Sequence, residues 1–396
     1  MGVETVLLEE QPQVWRNLAV KADRAADHFP ITHTWPAKLE GPLVWRPDSF
    51  VSEDDYTLAL TEDEIAEVRA GLKHFKNLDL YGSEVSPETF PLSTLGPKLR
   101  GLALEIHRGR GFAVIRGLDP DEFSPEDNVL IFLGVSSYIG ELRGRQDEHG
   151  SMLMHIRNAS HSQTPQQDRP TRYSSRPSTF HTDTFADILA LHTLRPSLHG
   201  GRNLLSSAST IYNTLSLQPH HRRLIELLAQ PCWSFDSRGS FLPSSTRPLL
   251  HYHQGRVMLN FAREPILGLP GVKRAEGLAE ATASQRRALD VVEETAKQNQ
   301  VVLEARKGDM LFVNNHAVLH SREGFEDHGG DGRYLVRMWL RNGELKWDLP
   351  EGALKEGNER IYGRDGGRDH EDELGEVWNV VDVPRVAFEL SERLTS

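Results

Sequence analysis

One cysteine, Cys232, stands among 396 residues, so the chain cannot close a disulfide on itself. That usage suits a reducing compartment, and Cys232, beside Trp233, reads as a small buried core residue. No apolar run approaches the roughly 20 residues that a bilayer-spanning helix demands, which argues against a membrane partner. The first ten residues carry Glu4, Glu9 and Glu10 where a secretory leader would be basic, and Val6 stands where a myristoylation signal asks for Ser or Thr. A cytoplasmic location is the expectation.

Positive charge is also short: 45 Lys and Arg face 57 Asp and Glu, a formal charge of −12. Such a chain has no basic footprint for phosphate backbones, so nucleic acid is not an expected partner. The sequence has no Gly-x-Ser-x-Gly elbow, Walker loop or Rossmann fingerprint, which leaves hydrolysis, phosphoryl transfer and nicotinamide chemistry unsupported. A chain this long buries a sufficient core without a structural metal, so a metal motif here serves chemistry.

Patterning predicts many short strands with few helices. Residues up to about Leu60 read as a wrapping arm; Thr61 and Glu64 then form a capping box before Ile65, Val68, Leu72 and Phe75 on one helical face. A second helix is expected from Leu95 to His107, a strand over Phe112–Ile115, and one more helix from Ser284 to Gln298. Short apolar runs at Ile188–Leu194, Asn203–Ser206, Leu249–Tyr252, Val257–Phe261, Val301–Ala305, Met310–Val313 and Tyr334–Leu340, each bounded by turn residues, predict a β-sandwich or barrel. The polar stretch Glu141–Ser178 reads as a long surface loop. The charged, glycine-rich stretch 351–376 reads as solvated, with Val377–Val381 and Val386–Phe388 docking back.

The chemistry sits in Phe180-His181-Thr182-Asp183. In an extended chain, residues i and i+2 share a face, so His181 and Asp183 can offer two ligands to one ion. The pattern alone is weak: 18 histidines and 57 acids would give about two or three His-x-Asp/Glu pairs at random. Two occur, and the other, at His370, has no histidine after it to complete a triad. A third ligand candidate, His320, ends Gly308-Asp309-Met310-Leu311-Phe312-Val313-Asn314-Asn315-His316-Ala317-Val318-Leu319-His320. Two histidines and a carboxylate on one face of an octahedral ion suit non-haem iron(II), leaving positions open for a cosubstrate and oxygen. Downstream, Arg333, Arg337 and Arg341 recur every four residues along an otherwise apolar strand, where arginine is costly unless an anion meets it.

These motifs, with Gly200-Gly201-Arg202-Asn203-Leu204-Leu205-Ser206-Ser207 and the early Gly111–Gly117 strand, resemble the taurine dioxygenase (TauD/TfdA) family over roughly Leu99–Arg341. The resemblance implies a mainly β fold with flanking helices, a double-stranded β-helix (jelly-roll, clavaminate synthase-like). With the patterning above, the chain reads as an arm and covering helix over 1–90, the catalytic domain over 91–345 and a docking extension over 346–396. It also implies iron(II) on His181, Asp183 and His320, and 2-oxoglutarate as cosubstrate with its far carboxylate gripped by Arg337. Asn203 falls where the family often has Thr or Ser, and it can still donate a hydrogen bond to 2-oxoglutarate. Arg333 is the lesser candidate for the same anion, with an ion pair as its other reading.

The expected activity is an O2-consuming oxidation (hydroxylation, desaturation or oxidative cyclisation) of a small organic acid, amino acid or specialised-metabolism intermediate, releasing succinate and CO2. The rival is a noncatalytic small-acid or metal-binding protein on the same scaffold. His251 and His253 could form a cupin-like pair, and His316 could compete with His320 as ligand. His155, Arg157, Asn158, Phe185 and Asp187 are candidate substrate-lining residues. His192, His199, His220 and His221 read as packing or surface residues.

Overall fold

The computed structural model describes residues 35–160, 162–237, 245–269, 273–327, 332–363 and 375–381. Its frame is a pair of facing sheets between two layers of helix. The large sheet contains β1 (Thr57–Ala59), β2 (Phe112–Arg116), β3 (Leu142–Gly144), β4 (Met154–Arg157) and β5 (Ile188–Arg195). The small sheet is built from β6 (Asn203–Ser207), β7 (Val301–Leu303) and β9 (Val318–Arg322), with β8 (Met310–Asn314) and β10 (Tyr334–Arg341) returning to the large one. The large sheet runs β1-β2-β8-β5-β10, and β3 and β4 pair side by side along the far edge of β10. The small sheet runs β7-β6-β9. Every pairing is antiparallel except β1 with β2, as a jelly roll requires.

Alternation along the strands separates three cores. Ala113, Ile115, Ala190, Phe312, Val336 and Met338 point outward against α1 (Glu62–Asn77), α2 (Leu95–Arg108) and α3 (Pro125–Ser137). Phe112, Val114, Leu189, Leu191, Leu311 and Leu335 point inward and meet Leu205, Val301 and Val318 of the small sheet. Leu204 and Leu319, on the small sheet's other face, pack against α4 (Ala208–Ser216) and α5 (Ala283–Gln298).

The Thr61 capping box forms as the sequence predicts: the Glu64 N–H donates to Thr61 Oγ1 at 3.3 Å and the Thr61 N–H to Glu64 Oε2 at 2.9 Å. The Gly308-Asp309 turn into β8 needs its glycine. Gly308 has φ +83, and a Cβ there would lie 1.7 Å from the Leu118 carbonyl oxygen.

Three expectations need correction, and one helix goes beyond them. The stretch 141–178 is not a plain surface loop; it supplies β3 and β4 to the large sheet, and its buried arginines reach backbone carbonyls, as Arg143 does at Val85 O (2.6 Å) and Arg169 at Thr164 O (2.7 Å). Residues 353–362 are not solvated but form α6 (Ala353–Tyr362), with Leu354, Asn358, Ile361 and Tyr362 buried at helical spacing. Cys232 is exposed, just before the strand Trp233–Phe235, whose Trp233 and Phe235 enter the core in its place. Helix α3 has no counterpart among the expectations: ten of its residues are buried, so it lacks the one-sided apolar stripe that marks a surface helix.

Val377 docks beside Ser151, its N–H donating to Gly150 O at 2.9 Å, and Trp378 and Val380 pack on the outer core. Residues 1–34, His370 and Val386–Phe388 lie outside the described residues. No helix among the described residues is long and apolar enough to cross a membrane.

Candidate metal and cosubstrate site

His181 and His320 are brought together by backbone. The His181 N–H donates to His320 O and the His320 N–H to His181 O, both at 2.9 Å, so the chain at residue 181 extends the small sheet by one bridge. The imidazole centroids lie 4.3 Å apart. Asp183 follows two residues later on the same side; its N–H donates to Asn315 Oδ1 at 2.8 Å, and Asn315 Nδ2 donates back to Asp183 O at 2.6 Å. Thr182, facing the other way, is held by Phe261 through its N–H (2.7 Å) and hydroxyl oxygen (2.9 Å). This extended segment therefore delivers His181 and Asp183 to one face, as their spacing predicts.

One donor atom from each of His181, Asp183 and His320 lies within 4.8 Å of the others, the only such three-residue group of metal-holding side chains among the described residues. His181 Nδ1 is engaged by Thr179 O at 2.8 Å, which leaves Nε2 as its free ligand atom. Asp183 splits its oxygens. Oδ2 accepts from Trp339 Nε1 at 2.6 Å and meets Arg337 Nη1 at 3.0 Å, while buried Oδ1 has no hydrogen-bond partner and lies 3.6 Å from His320 Nε2 and 3.9 Å from His181 Nε2. An orphaned carboxylate oxygen is expensive in a buried site, and a cation between the two imidazoles removes that cost. Burial pushes the Asp183 carboxyl up, but Arg337 and the two histidines outweigh it and hold it well below the usual range. Burial, with His320 adding, pushes the His181 imidazole down to about 3, which keeps it neutral and able to coordinate.

His181 and His320 open into a cavity. Asn203, Arg333 and Arg337 line it with His181 and His320. The two arginines differ. Arg337 is engaged with Asp183, and its Nε donates to Gln146 Oε1 at 2.8 Å, while Gln146 Nε2 donates to Arg337 O at 3.0 Å. Arg333 is buried, has no ion pair among the described residues, and leaves Nη1 without a partner. Burial, with Arg322 adding, pushes its guanidinium down to about 9, so an anion at this position would be strongly favoured.

The third arginine, Arg341, turns to Asp187 at 2.7 Å. His316 is taken by the same carboxylate at 2.9 Å, which removes it from competition as a ligand. His253 meets Asp348 at 2.8 Å, and neither it nor His251 belongs to a metal-holding group among the described residues. His192 is buried in packing against Phe132 and His220 is exposed.

The substrate-lining candidates are not in the cavity wall. His155 bonds Asn379 O (2.6 Å) and Tyr334 OH (2.8 Å), Arg157 lies over the Tyr334 ring, Asn158 receives Arg169, Phe185 packs beneath Arg247, and Asp187 belongs to the Arg341 network. In their place the wall contains Ile156, Arg172, Glu264 and Arg322. Sequence reasoning missed these and also Gln146, Asn315 and Trp339. Only Trp339 carried a signal, its even spacing from Arg337 on the same strand.

The family model for taurine catabolism dioxygenase TauD, TfdA family, matches residues 74–339. The chain is 36% identical over 365 residues to the taurine hydroxylase-like protein SAT17 of Stachybotrys chartarum, covering 90% of this chain and 93% of that protein. It is 25% identical to FR-33289 synthase of Streptomyces rubellomurinus, over 76% of this chain and 90% of that one. Among solved structures, an asparagine oxygenase in complex with Fe(II), 2S,3S-3-hydroxyasparagine and succinate aligns with a TM-score of 0.55 at 15% identity, covering 73% and 95% of the two chains. The non-haem iron oxygenase OrfP, in complex with Fe and alpha-ketoglutaric acid, aligns at 0.51 and 20%, covering 72% and 94%. The fold is thus the jelly roll of these oxygenases, and the chain belongs to the TauD/TfdA family of dioxygenases.

Proposed function

We propose that the chain is an iron(II)- and 2-oxoglutarate-dependent dioxygenase in which His181, Asp183 and His320 hold the metal and Arg333 holds the far carboxylate of 2-oxoglutarate. The observation that supports this most is Asp183 Oδ1, buried, unpartnered and facing two imidazoles in the cavity that contains an unpaired guanidinium. When bound, the iron and 2-oxoglutarate supply the oxidising power by coupling O2 reduction to decarboxylation. The residues supply the rest. Asn315 fixes the turn that aims Asp183, and Trp339 and Arg337 pin its rear oxygen. The apolar side chains of Leu189, Leu191 and Leu335 line the same cavity and limit water.

The reading assigns Arg337 a different part from the sequence expectation. With one edge on Asp183 and Nε on Gln146, its fork is largely occupied, whereas Arg333, with Asp327 acting on it by charge alone, keeps Nη1 without a partner. Asn203 stays as a second donor toward the cosubstrate. The substrate is a small organic acid, amino acid or specialised-metabolism intermediate, in keeping with the arginine-rich wall, and a single cysteine in the chain is in keeping with a cytoplasmic enzyme. Calorimetric titration of iron-loaded, oxygen-free protein with 2-oxoglutarate tests the assignment. Binding that weakens sharply in Arg333→Ala supports it, and no binding to folded wild type would remove the cosubstrate.

A further inference from the structure

The cavity wall holds one acid that the reaction described above does not use. Glu264 begins the short helix Glu264–Leu267 and lines the cavity with His181, His320 and the arginines. Its Oε1 accepts from Thr171 Oγ1 at 2.7 Å, a contact that reaches across from the segment following β4. Its Oε2 is closed to solvent and accepts no hydrogen bond. Arg172, Arg176 and Arg322 act on the carboxylate by charge, yet none bonds to it. Arg322 instead gives its Nη2 to the carbonyls of Ser174 (2.9 Å), Thr171 (3.4 Å) and Arg176, and Arg263 next door reaches Asp290 at 2.6 Å.

A carboxylate kept for stability alone would have a cation at hydrogen-bond distance or would face water; Glu264 has neither. Burial pushes its carboxyl up in spite of the three arginines, so the group is held at a cost that a donor in the cavity would relieve. A purely anionic substrate would be repelled by it. A substrate bearing both charges would place its anion among the arginines and its cation at Oε2.

We propose that Glu264 is the specificity residue that receives the ammonium group of a zwitterionic, amino-acid-like substrate, with Thr171 holding one oxygen and the other left without a protein partner. This deepens the reading given under Proposed function and rests on it for the identity of the cavity as the reaction site. It identifies the substrate's second recognition element by chemistry: a cation set apart from the acid group.

The test uses three probes with the same six-carbon acid frame, hexanoate, L-norleucine and 6-aminohexanoate, which differ only in the presence and place of the ammonium. Saturation-transfer NMR on the metal-free full chain reads their binding without turnover. Wild type is expected to bind at least one zwitterion about tenfold or more tighter than hexanoate. Glu264→Gln, which keeps shape and an acceptor for Thr171, should bring that preference to within about twofold, while Thr171→Val, which keeps the charge, should retain it. Circular dichroism verifies that both variants fold. Hexanoate binding as well as both zwitterions, no binding of either zwitterion, or an unchanged preference in Glu264→Gln would each overturn the proposal. Because the readout needs no iron, a preference that depends on Glu264 in a protein that never binds 2-oxoglutarate would contradict the proposed reaction and leave this receptor standing.

Discussion

The indole N–H of Trp339 donates to Asp183 Oδ2 at 2.6 Å, and this contact decides which oxygen the carboxylate presents to the two histidines. With Oδ2 tied from behind, Oδ1 alone would be left for a metal held here. Groups behind a metal ligand commonly set affinity by roughly 10- to 100-fold. Trp339→Phe keeps the ring and removes the donor, so iron(II) affinity in a chelator competition should fall by about that factor while the circular dichroism spectrum stays that of wild type. Unchanged affinity would mean that packing alone orients Asp183.

Arg333 and Arg337 lie four residues apart and should fail in different ways. A charged hydrogen bond is worth about 1.5–3 kcal/mol, so Arg333→Ala should weaken 2-oxoglutarate binding by roughly 10- to 160-fold and leave iron affinity near wild type. Arg337→Ala removes one of the two contacts at the rear of Asp183 and should weaken iron binding first. The opposite pattern, with 2-oxoglutarate lost only in Arg337→Ala, would restore the arginine that the family resemblance singled out.

Asp187 anchors a buried network joining four parts of the chain. It takes His316 Nε2 at 2.9 Å, Arg341 Nε at 2.7 Å and Asn358 Nδ2 at 2.6 Å, while its own N–H donates to Tyr362 OH at 3.1 Å. Removing one member of such a set leaves an uncompensated buried charge, at about 3–5 kcal/mol. Asp187→Ala should therefore lower the urea midpoint strongly, and Asn358→Ala less, since it removes a neutral donor. Equal and small effects would show that α6 is held by its apolar contacts.

Glu293 offers a pH test. Its Oε2 accepts the Phe180 N–H at 3.0 Å, one residue before His181, and burial pushes its carboxyl above the ordinary value even though Lys297 opposes the shift. A raised carboxyl binds its proton more tightly folded than unfolded, so this group's contribution to stability is lost as pH rises from the unfolded toward the folded pKa. Glu293→Gln should flatten that part of the stability profile and gain relative to wild type as pH increases. A profile with the same slope in both proteins would contradict the assignment.

Much of the frame was legible because it rests on local physics. Short apolar runs bounded by turn residues marked β5, β6, β8 and β10, and a capping box marked α1. The pairing of His181 with Asp183 follows from extended-chain geometry, but their approach to His320 depends on a two-bond backbone bridge that no local pattern encodes. Helix α3 was hidden because it is apolar all round. The stretch 141–178 was hidden because its polar side chains are buried and satisfied by distant carbonyls, as with Arg143 at Val85. The difference in pairing between Arg333 and Arg337 was illegible for the same reason: Arg337 is held by Gln146, which is 191 residues away in sequence.

The most direct test of the central claim is the visible charge-transfer band of iron(II) with 2-oxoglutarate, recorded without oxygen as the cosubstrate is titrated into iron-loaded protein. Wild type should develop the band to saturation, His320→Ala should show none, and Arg333→Ala should need a much higher 2-oxoglutarate concentration to reach it. A folded, iron-loaded wild type with no band, or a full band in His320→Ala, would contradict the account.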